Sequence, residues 1–414
     1  MIQKTRESLV KLNLSDPKYR VDPWSEFTRL RQKGSVIRIK MPMIGKVWAV
    51  TTYQGVSAFL KDHDQFVRDP SNAGRTSLIP YQWLLPRSLF SFANNMLGAD
   101  GLKHRRLRSL VDRAFLARNI DSLESRIDQI ARRQLSSASQ VMIAEGKVDL
   151  LHQFALPFPL TVICELLGLP VSDRPKFINW FKPFSTVNSV FGVLKIAKGI
   201  KQLSKYLQNQ IRLARQHSGS GLIQDLVDVE NEVDPLSDQE LLAMVFLLLA
   251  AGHETTVHLI CNAILVLLEN QNLRHQLAND ESLLSPLVDE VLRYCTPVQI
   301  TKPRYVAKDT VFERVNLNKG ELVIGLLASA NYDPARFDDP CVFDLQRQRN
   351  QHLAFGMGPH ICLGMRLAKL ECMSAIKALL DNWPDPIPAF ELSQADWSKR
   401  LGMRSLKSLV ISSS

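Results

Sequence analysis

Phe355-Gly356-Met357-Gly358-Pro359-His360-Ile361-Cys362-Leu363-Gly364 is the stretch that decides how this chain is read. One cysteine stands behind two glycines and a histidine, just before a third glycine. Glycine reaches left-handed backbone angles at little cost and lets another group approach the main chain closely. The residues that follow, Met365-Arg366-Leu367-Ala368-Lys369-Leu370-Glu371, favour a helix, so Cys362 falls at a helix start. There the unsatisfied N–H groups and the positive end of the dipole stabilise a thiolate. The plain alternative is a reduced structural cysteine beside a glycine turn, and the rest of the chain has to decide between the two.

Ser237-Asp238-Gln239-Glu240 is a capping box, with Ser237 as N-cap and Glu240 at N3. After it, Leu241 to Leu268 is almost wholly apolar, interrupted by His253-Glu254-Thr255-Thr256. The run is long enough to span a bilayer. However, His253 and Glu254 would then sit near mid-membrane, where ionisable groups are costly, so a buried central helix is the better reading. His253-Glu254 also suggests a zinc-binding H-E-x-x-H pattern. Here the i+4 position is Val257, and His258 comes one residue late, on another face. Thr255 is placed to hydrogen-bond the carbonyl of Ala251 four residues back, which loosens the helical ladder and opens a groove.

Glu290 and Arg293 lie three apart on a predicted helix, a spacing at which side chains meet. Such pairs are usually solvated, but Val288, Val291, Leu292 and Tyr294 surround this one. His104 and Arg108, four apart in a basic helical segment, share one face suited to gripping a carboxylate.

A single thiolate on a glycine-shaped loop suits an axial ligand of haem iron. The loop resembles F-G-x-G-x-H-x-C-x-G of the cytochrome P-450 monooxygenases, with every fixed position filled. Ala251-Gly252-His253-Glu254-Thr255-Thr256 is similar to that family's central-helix motif. Glu290 and Arg293 match its E-x-x-R pair, and Arg347 matches the arginine completing that network. The resemblance covers roughly residues 20–410. It implies haem b with Cys362 as axial thiolate, and His104, Arg108, Arg304 and His360 as propionate contacts. Ala251 would lie against the macrocycle and Phe355 would belong to the cofactor loop. Thr255 and Glu254 would be catalytic, relaying protons to bound oxygen. Leu247, Ala250 and Ile300 are candidate substrate-pocket residues. The implied fold is mainly α with small β-sheets, one unit over residues 1–414, with haem between the long central helix and the cysteine-loop helix. Two departures stand out: Asn331-Tyr332-Asp333-Pro334 in place of N-R-D-P, and Arg314 where a turn glycine is frequent.

The implied activity inserts one oxygen atom of dioxygen into a largely apolar small molecule. The rivals are a thiolate-haem enzyme that uses peroxide or isomerises its substrate, and a haem-binding sensor without turnover. The Glu254–Thr255 pair argues against both. No flavin or iron–sulfur motif is present, so electrons are expected from an acidic ferredoxin or flavodoxin with its reductase. Lys103, Arg105, Arg106, Arg366 and Lys369 are its expected docking patch. A second expectation for the basic charge is a membrane-surface contact near Lys195, Lys198 and Lys201, beside Trp180, Phe181 and Phe184.

The totals agree with this reading. The 414 residues are 45% hydrophobic, enough for a large core, and length alone would suggest two or three domains. Net charge is +10, which favours acidic partners without marking nucleic acid, for which no motif is found. Six cysteines without close C-x-x-C pairs read as reduced thiols in a cytoplasm. The N-terminus is polar, so neither signal peptide nor transmembrane anchor is expected. Alternation around Gly45 predicts a hairpin over 35–51, followed by a short helix from Tyr53 to Leu60. Helical periodicity runs from Gly101 to about Asn279, broken near Pro157–Pro159, Pro170 and Gly219–Gly221. Residues 297–345 turn strand- and loop-like. Residues 71–98 read as an irregular loop with helical pieces, and loop 75–97 with segment 176–200 is expected to cover the substrate pocket.

Overall fold

Val36 to Val50 form the hairpin that the alternation predicts, with Ile39 opposite Val47 and Met41 opposite Gly45. The computed structural model describes residues 10, 22–42, 44–76, 95–118, 120–181, 190–217, 219–228 and 235–412. Most of the expected pocket cover, residues 77–94 and 182–189 including Phe184, lies outside the described residues, as does the side chain of Lys195.

In chain order the helices are α1 (Pro23–Lys33), α2 (Tyr53–Lys61), α3 (Gly101–Ala117), α4 (Glu124–Glu145), α5 (Pro157–Leu167), α6 (Arg174–Phe181) and α7 (Val190–Gln216). They continue with α8 (Leu222–Asp228), α9 (Asp238–Glu269), α10 (Gln271–Asn279), α11 (Leu284–Cys295), α12 (Leu327–Asn331) and α13 (Met365–Asn382). The strands are β1 (Val36–Met41), β2 (Gly45–Val50), β3 (Phe66–Val67), β4 (Lys147–Asp149) and β5 (Arg304–Val306). They are completed by β6 (Thr310–Phe312), β7 (Val315–Leu317), β8 (Leu322–Gly325), β9 (Ile387–Pro388) and β10 (Val410–Ser412). The protein is mainly helical with small sheets, as expected.

These elements fall into two compact units, each made of several chain segments. The first takes in Met1–Gln82, Asn262–Cys362 and Glu391–Lys407. Its five-stranded sheet has the order β1-β2-β8-β5-β3. Alternation sorts the side chains to two faces. Ile37, Ile39, Val47 and Ile324 pack with Phe27, Leu30 and Tyr332 on one side. Val36, Trp48, Val50 and Val323 pack with Phe59, Phe66 and Leu353 on the other. The β6–β7 hairpin turns through Glu313 (φ 48°) and Arg314 (φ 65°), both left-handed. Arg314 thus holds the glycine-type conformation without being glycine.

The second unit takes in Trp83–Cys261, Leu363–Phe390 and Ser408–Ser414. α13 packs on α4, and a three-stranded sheet runs in the order β4-β10-β9. The proline-rich break expected near 157–159 is instead the start of α5. Pro157 takes its first position and Pro159 its third, where the N–H groups have no intrahelical partner anyway. A π turn, Leu151–Ala155, precedes it.

The predicted capping box opens α9. Ser237 N donates to Glu240 Oε2 at 3.0 Å, and Glu240 N donates to Ser237 Oγ at 3.3 Å. Among the described residues α9 is the one helix that passes the length and composition test for a membrane span. Leu241, Ala243, Val245, Leu249, Val257, Ile260 and Ile264 are all 0% exposed, which makes it a core helix.

Candidate active site

Within the first unit, the cysteine loop is fixed by its own backbone. Gly356 N donates to Leu353 O, Ile361 N to Gly358 O and Cys362 N to Phe355 O, at 2.9, 3.0 and 2.9 Å. Gly358 has φ 73°, and a Cβ there would stand 2.8 Å from Leu60 O, so only glycine fits. Cys362 lies just ahead of the Met365 start of α13 and is exposed. Cys164, Cys261, Cys295 and Cys372 are buried, and burial raises all four thiols, Cys164 to about 12 and Cys295 to about 11. Cys341 is also exposed, and partial burial raises its thiol too. None of the six cysteines is in a disulfide.

Behind the loop stands the ion-pair network. Glu290 and Arg293 are 1% and 0% exposed. Arg293 Nη2 donates to Glu290 Oε1 at 2.6 Å and its Nε to Oε2 at 2.9 Å, a two-pronged pair. The rest of the Arg293 fork donates to the carbonyls of Asn331, Pro340 and Val342. Arg347 Nε donates to Glu290 at 3.1 Å, and its other nitrogens to the carbonyls of Asp338, Asp339 and Val342. Two further donors, Asp344 N and Asn350 Nδ2, reach Glu290 at 3.0 Å. The pair is therefore buried rather than solvated.

Sequence reading missed the ties that carry this network to the loop. Asn331 Oδ1 accepts from Leu353 N at 2.7 Å, and Tyr53 Oη donates to Gln351 O at 2.7 Å. The N-Y-D-P departure signalled Asn331 and Tyr332 without giving their roles. Tyr332 stacks on Trp24 at 5.0 Å, and the Arg293 guanidinium lies 5.7 Å from its ring centroid. Arg304 is 0% exposed; its Nη1 donates to Phe59 O at 3.0 Å, and its guanidinium lies 4.9 Å from the Phe59 ring. A cation at the C-terminal carbonyls of α2 is favourably placed. His360 ends a short 3₁₀ turn over Gly358–His360. Phe355 packs near the His352 ring, and Ile300 packs over Gly402 and the first sheet face.

Within the second unit, α9 has an accessible stripe on an otherwise buried helix. Leu247, Ala250, Glu254 and Thr255 are partly exposed and Ala251 is exposed. Thr255 Oγ1 donates to Ala251 O at 2.8 Å, as its spacing predicts. The Glu254 side chain is 31% exposed, and its Oε1 lies 3.8 Å from His258 Nε2. His253 faces elsewhere: its Nε2 meets Leu156 O at 3.0 Å, and burial lowers its pKa to about 4. On α3, His104 is 4% exposed, and Arg108 Nε donates to Asp112 Oδ1 at 2.9 Å.

One expected docking residue has to be corrected. Arg106 was to be part of an open basic patch, but it pairs with Glu240 and donates to Pro235 O at 3.1 Å. Its charge is used in fastening α3 to the start of α9. Lys103, Arg105 and Arg366 remain exposed, and Lys369 is half-buried. Trp180 packs edge-on against Phe177 at 5.4 Å and stays partly exposed.

The sequence profile described as Cytochrome P450 matches residues 9–384. The chain belongs to the cytochrome P450 family. It is 33% identical over 395 residues to "Polyketide biosynthesis cytochrome P450 PksS" of Bacillus subtilis (strain 168), covering 94% of this chain and 96% of that protein. It is 35% identical over 396 residues to "Cytochrome P450 monooxygenase PikC" of Streptomyces venezuelae, covering 95% and 91%. A myxobacterial cytochrome P450, CYP267B1, solved with myristic acid, superposes with a TM-score of 0.87 at 33% identity over 96% of this chain and 98% of that one. This cytochrome P450 is a monooxygenase, an oxidoreductase of the haem-dependent kind.

The donor chemistry fits that group. An exposed thiol just before a helix start has the donor chemistry that a thiolate ligand of iron needs. Arg304 in the first unit is a buried guanidinium, and His104 and Arg108 in the second are nitrogen donors; each is of the kind that a carboxylate takes.

Proposed function

We propose that this protein inserts one atom of dioxygen into a largely apolar small molecule, as hydroxylation or epoxidation, with electrons from a separate acidic ferredoxin or flavodoxin served by its reductase. Cys362 carries the reading: it is exposed at the head of α13, whereas the cysteines at 164, 261, 295 and 372 are buried. Cys362 would hold the iron of haem b. His104, Arg108, Arg304 and His360 would hold its carboxylates, and Phe355 and Ala251 would flank the ring. Bound haem supplies the activation of dioxygen, favoured by thiolate donation.

The chain's own contribution is orientation and proton supply. Thr255 Oγ1 spends its proton on Ala251 O, so its lone pairs are left to accept. Glu254, one residue away and partly exposed, is open to proton exchange with water. Glu290, Arg293 and Arg347 keep the cysteine loop rigid and touch no substrate. Leu247 and Ala250 on the accessible stripe of α9, together with Ile300, would offer apolar contact to the substrate. Polyketide biosynthesis in one relative and myristic acid in another support an apolar substrate. The cysteines' thiol state and the bacterial relatives support a cytoplasmic location.

Reconstitution with a ferredoxin chain and a panel of apolar compounds tests the reading. Product should form with electrons from the chain, at a first-electron rate that falls with salt. Thr255→Ala should keep haem and divert reducing equivalents into peroxide. Wild-type coupling in that variant, or turnover with hydrogen peroxide alone, contradicts the proposed roles.

A further inference from the structure

We infer that His258 is a positioning residue for the Glu254 carboxylate; the inference rests on the proton-supply role assigned to Glu254. The two side chains lie one turn apart on α9, with His258 Nε2 3.8 Å from Glu254 Oε1. An acid four residues before a cation is the better orientation of such a pair on a helix. At this distance the two groups face each other just beyond hydrogen-bond range, and a small side-chain rotation lets the ring N–H reach the carboxylate.

The environment gives the contact its force. His258 is 7% exposed, whereas the Glu254 side chain keeps 31% of its surface open. A polar contact with the ring acts in a medium poorer in water than the surface, where it is stronger. The neighbouring histidine cannot substitute. His253 is 8% exposed and its Nε2–H is given to Leu156 O at 3.0 Å. Burial holds that ring neutral down to about pH 4.

A glutamate that both gives and regains protons must stay in one rotamer through both states, and its long side chain loses entropy in doing so. His258 on one side helps to hold that position, and the other side is open to water. When Glu254 gives up its proton, the carboxylate formed faces the imidazole, and water at the exposed oxygen returns a proton. No electron moves in this exchange.

The test uses the haem-loaded protein in wild-type, His258→Leu, His258→Gln and Glu254→Gln forms. Three quantities are read: product per reducing equivalent, thermal midpoint, and the infrared carboxyl band that Glu254→Gln removes. His258→Leu should lower coupling at least about fivefold, release the difference as peroxide and shift the Glu254 band. His258→Gln keeps an N–H donor without the charge and should return coupling to within about twofold. Midpoints of both should match the wild type, which a merely structural role would not give alongside a coupling loss. If His258→Leu does not load haem, His258→Met replaces it. Wild-type coupling and an unmoved band in the Leu or Met variant, with Glu254→Gln uncoupled, overturn the inference and leave the acid role standing. Wild-type coupling in Glu254→Gln refutes the acid role and the inference together.

Discussion

Glu290 of α11 accepts from Arg293, Arg347, Asn350 and the Asp344 N–H, all within the protein and at 1% exposure. Glu254 of α9 faces His258 at 3.8 Å and keeps 31% of its side chain accessible. Both are helical glutamates beside a basic side chain. The first is caged by geometry that satisfies its lone pairs, which suits a group that must never change its charge. The second keeps part of its side chain open to water, which suits a group that exchanges protons.

Removing one partner from the cage should have the largest effect. Glu290→Ala strands Arg293 and Arg347 and should cost about 3–5 kcal/mol, with little haem-loaded protein recovered. Glu254→Gln should move stability by no more than about 0.5 kcal/mol. Denaturant melts of the two variants check the contrast. Similar losses in both would mean that Glu254 is as structural as Glu290.

His253 extends the comparison to a buried base. A histidine in the unfolded chain binds a proton below about pH 6.5. In the fold, burial keeps His253 neutral down to about 4. Between those values the unfolded state holds more protons, so this contribution to stability is present above pH 6.5 and is lost as pH falls. His253→Gln keeps a donor for Leu156 O and should remove about 3 kcal/mol from the acid limb of the stability–pH curve. An unchanged acid limb would show that His253 is protonated in the fold.

The β6–β7 turn offers a small effect of the opposite sign. Arg314 sits at φ 65°, so Arg314→Gly should relieve left-handed strain and stabilise the protein by about 1 kcal/mol, offset in part by glycine's freer unfolded state. A loss in a thermal melt would mean that the arginine side chain makes up the strain.

Local signals were legible in the sequence, and contacts between distant segments were not. The capping box at Ser237, the Thr255–Ala251 bond and the Glu290–Arg293 pair each span three or four residues, where helical geometry fixes the neighbours. Arg106 was misread because its partner Glu240 lies far along the chain, and no spacing rule reaches that far. Asn350 and Asn331 look like ordinary loop residues until the fold sets them against Glu290 and Leu353. His258 was read only as a failed zinc ligand, since its pairing with Glu254 depends on which face of α9 is open.

The central claim is that Cys362 is the iron ligand. Its most direct test is the spectrum of the ferrous–carbon monoxide complex of the wild type and of Cys362→Ser. The account predicts the red-shifted Soret band of thiolate ligation in the wild type and its loss in the variant. A red-shifted band that persists without Cys362, or a wild type that never shows it, would contradict the account.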